Sequence, residues 1–363
     1  MADRLPTVWD IDPHTKAKHF ILTRHLGGWF PILSKRHGRI VYLDGFAGPG
    51  KYRGGEEGSP VIAIRTAITH KFPLADELVF YFVEARPDRK AHLEQVLADL
   101  YPNPPRNISW HVSGAQFADE MRSLLTDLES EGKTLAPTFA FLDPFGFKGM
   151  PMEIVARILN YPRCEALITF MASFVNRFAE TEINDETLDE LFGTPKWRGV
   201  SAMPDPEQRR RFLIELYTRQ LETRVQGVHV RAFEMVDARN IPIYYLIFAT
   251  RSQKGMEVMK GAMWAADPTG QYRFSDRTDP DQHTLLEIED EQAWVGPAAK
   301  IVHLEFSGTR QTVERVMSFL ILQTPYPPQK KILKRLEQEG KILSVVPRAR
   351  AGTFPDGCII QFS

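Results

Sequence analysis

Short apolar runs and helix-like repeats alternate along the first half of this chain. Four apolar side chains spaced four, three and four apart predict one face of an N-terminal helix: Leu22, Leu26, Trp29 and Leu33. From residue 39 onward, apolar runs too short for helices predict buried strands, and helical repeats separate them. The predicted strands cover residues 39–43, 78–83, 107–112, 138–142 and 166–170. This alternation predicts a parallel sheet with helices on both faces.

The rhythm changes after residue 170. Residues 174–227 are polar with a helical repeat, and we interpret them as a helical insertion. Residues 229–236 and 241–250 have strand-like patterns around a short polar turn, which predicts an antiparallel hairpin. Five βα units followed by a hairpin are typical of the class I methyltransferase layout, whereas an NAD-type Rossmann domain would continue with parallel units. The predicted fold class is therefore an α/β, Rossmann-like methyltransferase sheet.

These patterns divide the chain into four predicted regions: an N-terminal helical segment (1–38), a methyltransferase-like domain (39–275), an acidic linker (276–308) and a small winged-helix-like domain (309–363). Residues 276–291 hold seven acids against one arginine, which favours a linker or a solvated face. Residues 309–350 hold nine Lys or Arg and three Glu, so this tail is the place where DNA or RNA is expected to bind. A lid or a dimerisation element with a solvated basic face is the alternative.

Composition narrows the class of protein. The net charge of −1 over 363 residues means that any site for a polyanion must be a local patch. The two cysteines cannot build a disulfide framework, and no Cys/His cluster has zinc-like spacing, so no metal site is expected. The N-terminus lacks an apolar signal core, and no stretch of 18 apolar residues occurs. We expect a cytoplasmic, reduced protein.

The end of the first strand carries the strongest chemical signal. An apolar run stops at Asp44, and three glycines follow within six residues, at Gly45, Gly48 and Gly50. Glycines let the backbone approach a nucleotide-like cofactor, and a carboxylate can bind one of its polar groups. Two further predicted strands end at acids, Glu84 and Asp143, and ligands of open α/β sheets bind at this edge.

The predicted strand ends suggest individual roles. Glu84 is placed to accept two hydrogen bonds from a ribose diol, and Gln116 could bind an adenine edge, although a helix N-terminus explains Gln116 equally well. The separation between Gly45 and Glu84 is about twice the roughly 20 residues of the NAD fingerprint, which argues against NAD.

The loop after the fourth strand, Asp143-Pro144-Phe145-Gly146-Phe147, is the candidate catalytic loop. Methyl transfer from a sulfonium needs in-line placement of the nucleophile more than strong acid–base help. Asp143 and the Pro144 carbonyl could orient the hydrogens of an amine, while Phe145 or Phe147 stacks on a flat base. The simpler interpretation is a strand end with a turn, because Asp-Pro and Phe-Gly are common in turns.

Several blocks resemble the three-Cys-motif partner protein family over nearly the whole chain. They are Asp44-Gly45-Phe46-Ala47-Gly48-Pro49-Gly50 with Tyr52 and Gly58-Ser59-Pro60, residues 141–146, residues 244–250, and the tail around Leu336-Glu337. The resemblance implies a methyltransferase-like fold and a radical-SAM-like partner that carries the three-Cys motif, which agrees with only two cysteines here. We predict that Phe46, Ala47, Gly48, Gly50, Tyr52 and Ser59 of the first block bind the cofactor.

A more distant resemblance is to the bacterial 23S rRNA adenine-N6 methyltransferases. It lies in Lys18-His19, Tyr42-Leu43-Asp44, Ala47-Gly48, Gly50 and Tyr52. By this similarity, Lys18 would reach the carboxylate of S-adenosylmethionine (SAM). Those enzymes carry Asp-Pro-Pro-Tyr in the loop after the fourth strand. Here the aromatic residue comes one place earlier, at Phe145, or its role passes to Phe147.

Taken together, the patterns and resemblances predict a SAM-dependent methyltransferase that acts on an exocyclic amino group of a nucleic-acid base. Three alternatives stay open. The protein could methylate a small molecule or peptide beside its three-Cys-motif partner, it could be a scaffold that keeps only the fold, or it could be an NAD-dependent oxidoreductase. Nucleic-acid affinity that depends on salt separates the first alternative from the predicted function.

Overall fold

The computed structural model of the chain describes residues 6–35, 38–74, 77–172, 185–267, 273–275 and 291–363. The chain forms two compact units. One contains Met1–Ala262 and Arg273–Asp279, and the other contains Met263–Tyr272 and Pro280–Ser363.

The first unit alternates strands and helices in the predicted order. Its helices are α1 (Pro13–Leu33), α2 (Ser59–Ile68), α3 (Pro87–Leu100), α4 (Phe117–Ser130), α5 (Met152–Asn160), α6 (Asp185–Phe192), a 3-10 helix (Pro195–Ala202) and α7 (Pro206–Arg224), and α8 (Gln253–Ala266) begins in it. Its strands are β1 (Arg39–Asp44), β2 (Glu77–Val83), β3 (Ile108–Ser113), β4 (Thr138–Leu142), β5 (Glu165–Phe170), β6 (His229–Val236), β7 (Pro242–Thr250) and β8 (Arg273–Ser275).

The eight strands form one sheet in the order β3-β2-β1-β4-β5-β7-β6-β8. Strands β1 to β5 pair in parallel, and β7 runs antiparallel between β5 and β6. Five parallel strands closed by an antiparallel hairpin define the Rossmann-like class I methyltransferase fold, so the predicted fold class is confirmed. All residues of β4 and β5 are buried, as expected for central strands with helices on both faces.

The structure can also be compared with the predicted start of α2, the predicted hairpin and the predicted helical insertion. Helix α2 begins at Ser59 with Pro60 in its first turn, because proline fits where no backbone donor is needed. The predicted hairpin corresponds to β6 and β7. In the predicted insertion, α6, the 3-10 helix and α7 make up most of residues 185–224, and residues 174–184 lie outside the described part of the chain. The sequence did not indicate α8 or β8.

The second unit has its own hydrophobic core. Its elements are α9 (Glu291–Phe306), β9 (Arg310–Thr312), α10 (Val313–Gln323), α11 (Lys331–Gln338), β10 (Ile342–Val346) and β11 (Ile359–Phe362), and the strands form a sheet in the order β10-β11-β9. Helices and sheet enclose buried side chains that include Val302, Phe306, Leu320, Leu333 and Phe362.

The prediction that residues 276–308 form a linker is wrong for residues 291–306, which form a helix. This helix is α9, and its residues Ala298, Ala299 and Val302 are buried in the core of the second unit. The sequence did not predict this helix because it contains Gly296 and Pro297, and both residue types are unfavourable inside helices. Residues 276–290 lie outside the described residues.

None of the helices in the described part of the chain is long and apolar enough to cross a membrane.

Candidate active site

The acids at three strand ends lie at one edge of the sheet. In the parallel register, Asp44 of β1 pairs with Phe82 of β2 and with Phe141 of β4. Glu84 and Asp143 each follow two residues after those partners. The carboxyl ends of β1, β2 and β4 therefore bring the three acids to the same side of the sheet, as predicted.

The glycine-rich loop after β1 is closed by backbone contacts. Gly48 and Gly50 have φ values of +65° and +81°, which favour glycine. A Cβ at Gly50 would lie 2.7 Å from Leu93 Cδ1, so α3 packs directly on the loop. The Gly58 N–H donates to the Gly50 carbonyl at 2.8 Å and joins the loop to the start of α2. The sequence thus builds a compact backbone cradle.

Asp44 lies beneath this cradle rather than on its surface. Its carboxylate is fully buried and accepts hydrogen bonds from the Phe46 N–H and the Tyr42 hydroxyl, both at 3.3 Å, and from the Ser59 hydroxyl. Burial raises the pKa of Asp44 to about 7, which exceeds the opposing effect of these donors. The visible role of Asp44 is to fix the loop, and its direct contact with a cofactor stays a prediction.

Glu84 also supports the loop. One carboxylate oxygen accepts from the Gly48 N–H at 2.9 Å and the other accepts from the Arg86 N–H at 2.8 Å. Gln116 is exposed at the N-terminus of α4, and its side chain makes no cap hydrogen bond. Binding of ribose by Glu84 and of adenine by Gln116 stay predictions.

A cavity of about 240 Å³ opens beside the loop. Its lining contains ten of the predicted site residues: Lys18, Phe46, Ala47, Gly48, Gly50, Tyr52, Ser59, Asp143, Pro144 and Phe145. Asp44, Glu84, Gln116 and Phe147 do not belong to the lining. The loops after β1 and β4 thus meet at one cavity, and the loop after β2 lies outside its lining.

An ion pair lies within the cavity wall. The Lys18 ammonium on α1 contacts Asp143 Oδ2, and the side chains are 6% and 24% exposed. Lys18 also lies 5.3 Å from the centre of the Tyr244 ring. His19 follows Lys18 in α1. Burial and the Lys18 charge lower the pKa of His19 to about 3, although the Asp143 charge opposes this shift. His19 is therefore neutral at physiological pH.

The loop after β4 separates the two candidate stacking residues. Phe145 is 58% exposed and lines the cavity. Phe147 is only 6% exposed and packs in the hydrophobic core with Met150 and Met152. Gly146, with φ of +102°, turns the chain between them. The prediction that Phe147 stacks on a base is wrong, because its ring is buried in the core.

Several residues that line the cavity were not predicted from the sequence: Trp9, Asp12, His14, Thr15, Met171 and Tyr244. Most precede or begin α1, where no apolar repeat marks them. The Tyr244 hydroxyl donates to the His14 carbonyl at 3.1 Å, which connects β7 to the start of α1. A signal was available for Tyr244, since it belongs to a block that carries the family resemblance.

No group of three or more His, Cys, Asp or Glu residues in the described part of the chain could hold a metal ion. The side chains around the cavity offer the Lys18–Asp143 ion pair, a contact of 3.8 Å between His14 and Asp12, hydroxyls and aromatic rings. They are suited to hydrogen bonding and stacking.

No protein-family model matches the chain, and no curated protein matches it. Among solved structures, it is similar to Trm1 from Pyrococcus horikoshii, determined in complex with S-adenosyl-L-methionine, with a TM-score of 0.38 and 15% identity. The match covers 71% of this chain and 60% of that one, so this chain spans less than two thirds of Trm1. The strand topology described above, rather than this similarity, assigns the fold.

Proposed function

We propose that the protein is a SAM-dependent methyltransferase that acts on an exocyclic amino group of a nucleic-acid base. One observation carries the proposal: Asp143 lies at the carboxyl end of β4, lines the cavity and adjoins the glycine-rich loop. Ligands of open α/β sheets bind at this edge.

The residues present fit SAM. Gly48 has an open backbone, because a Cβ there would meet only the Trp9 ring, at 3.8 Å. Each oxygen of Glu84 accepts one backbone hydrogen bond, which leaves lone pairs for a ribose diol. Lys18, which lines the cavity, would bind the carboxylate of the methionine moiety. When bound, the cofactor supplies an electrophilic methyl group.

Asp143 orients the acceptor in this proposal. Lys18 contacts Oδ2 of the carboxylate, and no described residue forms a hydrogen bond with Oδ1. Oδ1 can therefore accept a hydrogen from an amine, and the Pro144 carbonyl can accept the other. Both bonds aim the nitrogen lone pair away from the loop, and positioning of this kind is the main requirement for methyl transfer. Phe145 offers an exposed ring for stacking on a base, worth roughly 1–3 kcal/mol.

Asp143→Asn tests the assignment, because asparagine keeps the shape but replaces one acceptor with a donor. We expect SAM affinity, measured by calorimetry, to stay within about threefold, while methylation falls at least about 100-fold, since positioning can account for several kcal/mol. Mass spectrometry of nucleic acid and metabolites incubated with methyl-labelled SAM identifies the product. Wild-type protein that binds no SAM would refute the proposal, and wild-type turnover by Asp143→Asn would remove Asp143 from the mechanism.

A second candidate is methylation of a small molecule or peptide beside a three-Cys-motif partner. The net charge of −1 favours it, because a nucleic-acid enzyme usually carries a positive field. Label found only in metabolites, together with co-purification of a cysteine-rich protein, would support this candidate over the first.

A further inference from the structure

The segment before α1 is attached to the cavity rim at both of its ends. At residues 6 and 7, the Thr7 hydroxyl donates to Asp88 at 2.7 Å and Arg89 donates to the Pro6 carbonyl at 3.2 Å. Further along, the Arg53 N–H donates to the Trp9 carbonyl at 2.9 Å and its guanidinium bonds Asp10 at 3.2 Å. These contacts place Trp9 at a fixed point of the cavity wall.

Trp9 meets two other aromatic residues of the lining. Its ring lies 5.1 Å from the ring of Phe145 with an angle of 74° between the planes, and 5.7 Å from the ring of Tyr52 with an angle of 85°. Trp9 and Phe145 are therefore nearly perpendicular. We call this pair the aromatic corner.

Arg89 supports both rings of the aromatic corner. Its guanidinium lies 4.6 Å from the Trp9 ring centre and 4.8 Å from that of Phe145. Arg89 is 3% exposed, forms no ion pair with any described residue, and its Nε atom has no hydrogen-bond partner. Burial of a cation is costly, and the charges of Glu84 and Asp88 together with the two ring faces offset part of that cost. Arg89 is thus a positioning residue for Trp9 and Phe145.

We propose that the aromatic corner binds the planar ring of the methyl acceptor, and that this ring is an amino-bearing nucleobase. This inference rests on the proposed function. A flat ring can stack on one side of the corner while it meets the edge of the other, and both contacts are favourable for aromatic pairs. Asp143 lines the same cavity and accepts the amino hydrogen.

Two groups of residues share this cavity. Lys18 and Gly48, which are proposed above to hold the cofactor, lie in the same lining as Trp9, Phe145 and Asp143. The aromatic corner is therefore assigned to the acceptor ring, and the glycine-rich loop is left for the cofactor.

Adenosine and inosine are suitable probes, because inosine keeps the purine ring but lacks the amino group. Full-length protein saturated with S-adenosylhomocysteine is titrated with each, and binding is followed by calorimetry. We expect adenosine to bind more tightly than inosine. Trp9→Ala should reduce the affinity for adenosine about tenfold, as expected for loss of one stacking contact. The affinity of Trp9→Phe should stay within about threefold of wild type.

The Arg89 variants test the positioning role. Arg89→Gln should weaken adenosine binding, and Arg89→Lys should restore most of it, because lysine keeps a cation beside the rings. Phe72→Ala is the control, since Phe72 is exposed and lies outside the cavity lining. Affinity for SAM is measured on each variant and should change less than twofold.

Three results would overturn the inference: unchanged adenosine affinity in Trp9→Ala, adenosine and inosine that bind equally, or adenosine binding abolished by S-adenosylhomocysteine. The last result would assign the aromatic corner to the cofactor. Failure of the proposed function looks different, because wild-type protein would then bind no SAM while adenosine binding still depended on Trp9.

Discussion

At the scale of single residues, the site contains buried titratable groups whose pKa values are shifted toward the neutral form. Asp44 is buried with its pKa raised to about 7, and His19 is buried with its pKa lowered to about 3. The sequence revealed Asp44, because it ends an apolar run. It could not reveal its burial beneath the loop, which depends on the contacts of Tyr42 and Ser59.

The raised pKa of Asp44 predicts a pH-dependent stability. Between the unfolded pKa near 3.8 and the folded value near 7, the folded protein holds a proton that the unfolded chain has lost. This contribution therefore decreases as pH rises through that window, by about 2–3 kcal/mol between pH 5 and pH 8. Asp44→Asn removes it. We expect the free energy of unfolding of the variant, relative to wild type, to rise by that amount from pH 5 to pH 8 in urea titrations.

His19 is present in both proteins of this comparison, so its opposite titration cancels in the difference. An Asp44→Asn difference that stays constant from pH 5 to pH 8 would show that Asp44 is not the buried acid described here.

At the scale of elements, the strands and the glycine-rich loop were predictable and the N-terminal wall was not. Apolar runs that stop at Asp44 and Asp143 mark strand ends directly. Trp9 reaches the cavity through hydrogen bonds of Thr7, Trp9 and Asp10 with residues far along the chain, and such contacts leave no periodic pattern.

Closure of the glycine-rich loop can be tested at Gly58. A Cβ there would lie 3.0 Å from the Gly50 carbonyl oxygen and 3.1 Å from its carbon, so the backbone must move. We expect Gly58→Ala to lower the free energy of unfolding by about 1–3 kcal/mol in urea denaturation and to reduce the affinity for SAM at least about tenfold.

Gly27→Ala is the matched control for this substitution. Gly27 lies inside α1, and a Cβ there would have no neighbour within 4 Å. Alanine should stabilise that helix by about 0.5–1 kcal/mol and leave SAM affinity unchanged. Normal cofactor binding by Gly58→Ala would show that the loop tolerates opening.

At the scale of the whole molecule, a near-neutral chain has a local excess of positive charge in residues 309–350, which belong to its second unit. Lys330, Lys331 and Lys334 line a depression of about 460 Å³ together with residues 352–355. Lys334 and Arg350 pair with no carboxylate among the described residues, whereas Arg335 and Arg348 bond Glu339 and Glu337. The sequence predicted the basic excess, but only the side-chain contacts show which charges are neutralised locally.

The proposed contact of the second unit with DNA or RNA predicts a salt effect. If Lys334 and Arg350 each bind a phosphate, Lys334→Ala and Arg350→Ala should each reduce the slope of log affinity against log salt by about 1. Fluorescence anisotropy of the full chain with labelled oligonucleotides at several salt concentrations measures this slope. Arg211→Ala serves as control, because Arg211 lies in the first unit and pairs with Glu207. Equal slopes for all variants would contradict the proposed contact.

The attachment of residues 6–10 to the cavity rim has a practical consequence. An affinity tag, a protease scar or a fluorophore joined ahead of Met1 would begin about eight residues before Trp9, whose indole lines the cavity. Preparations that differ only at this end could then differ in measured turnover, so assays should compare tagged protein with tag-free protein before any activity is declared absent.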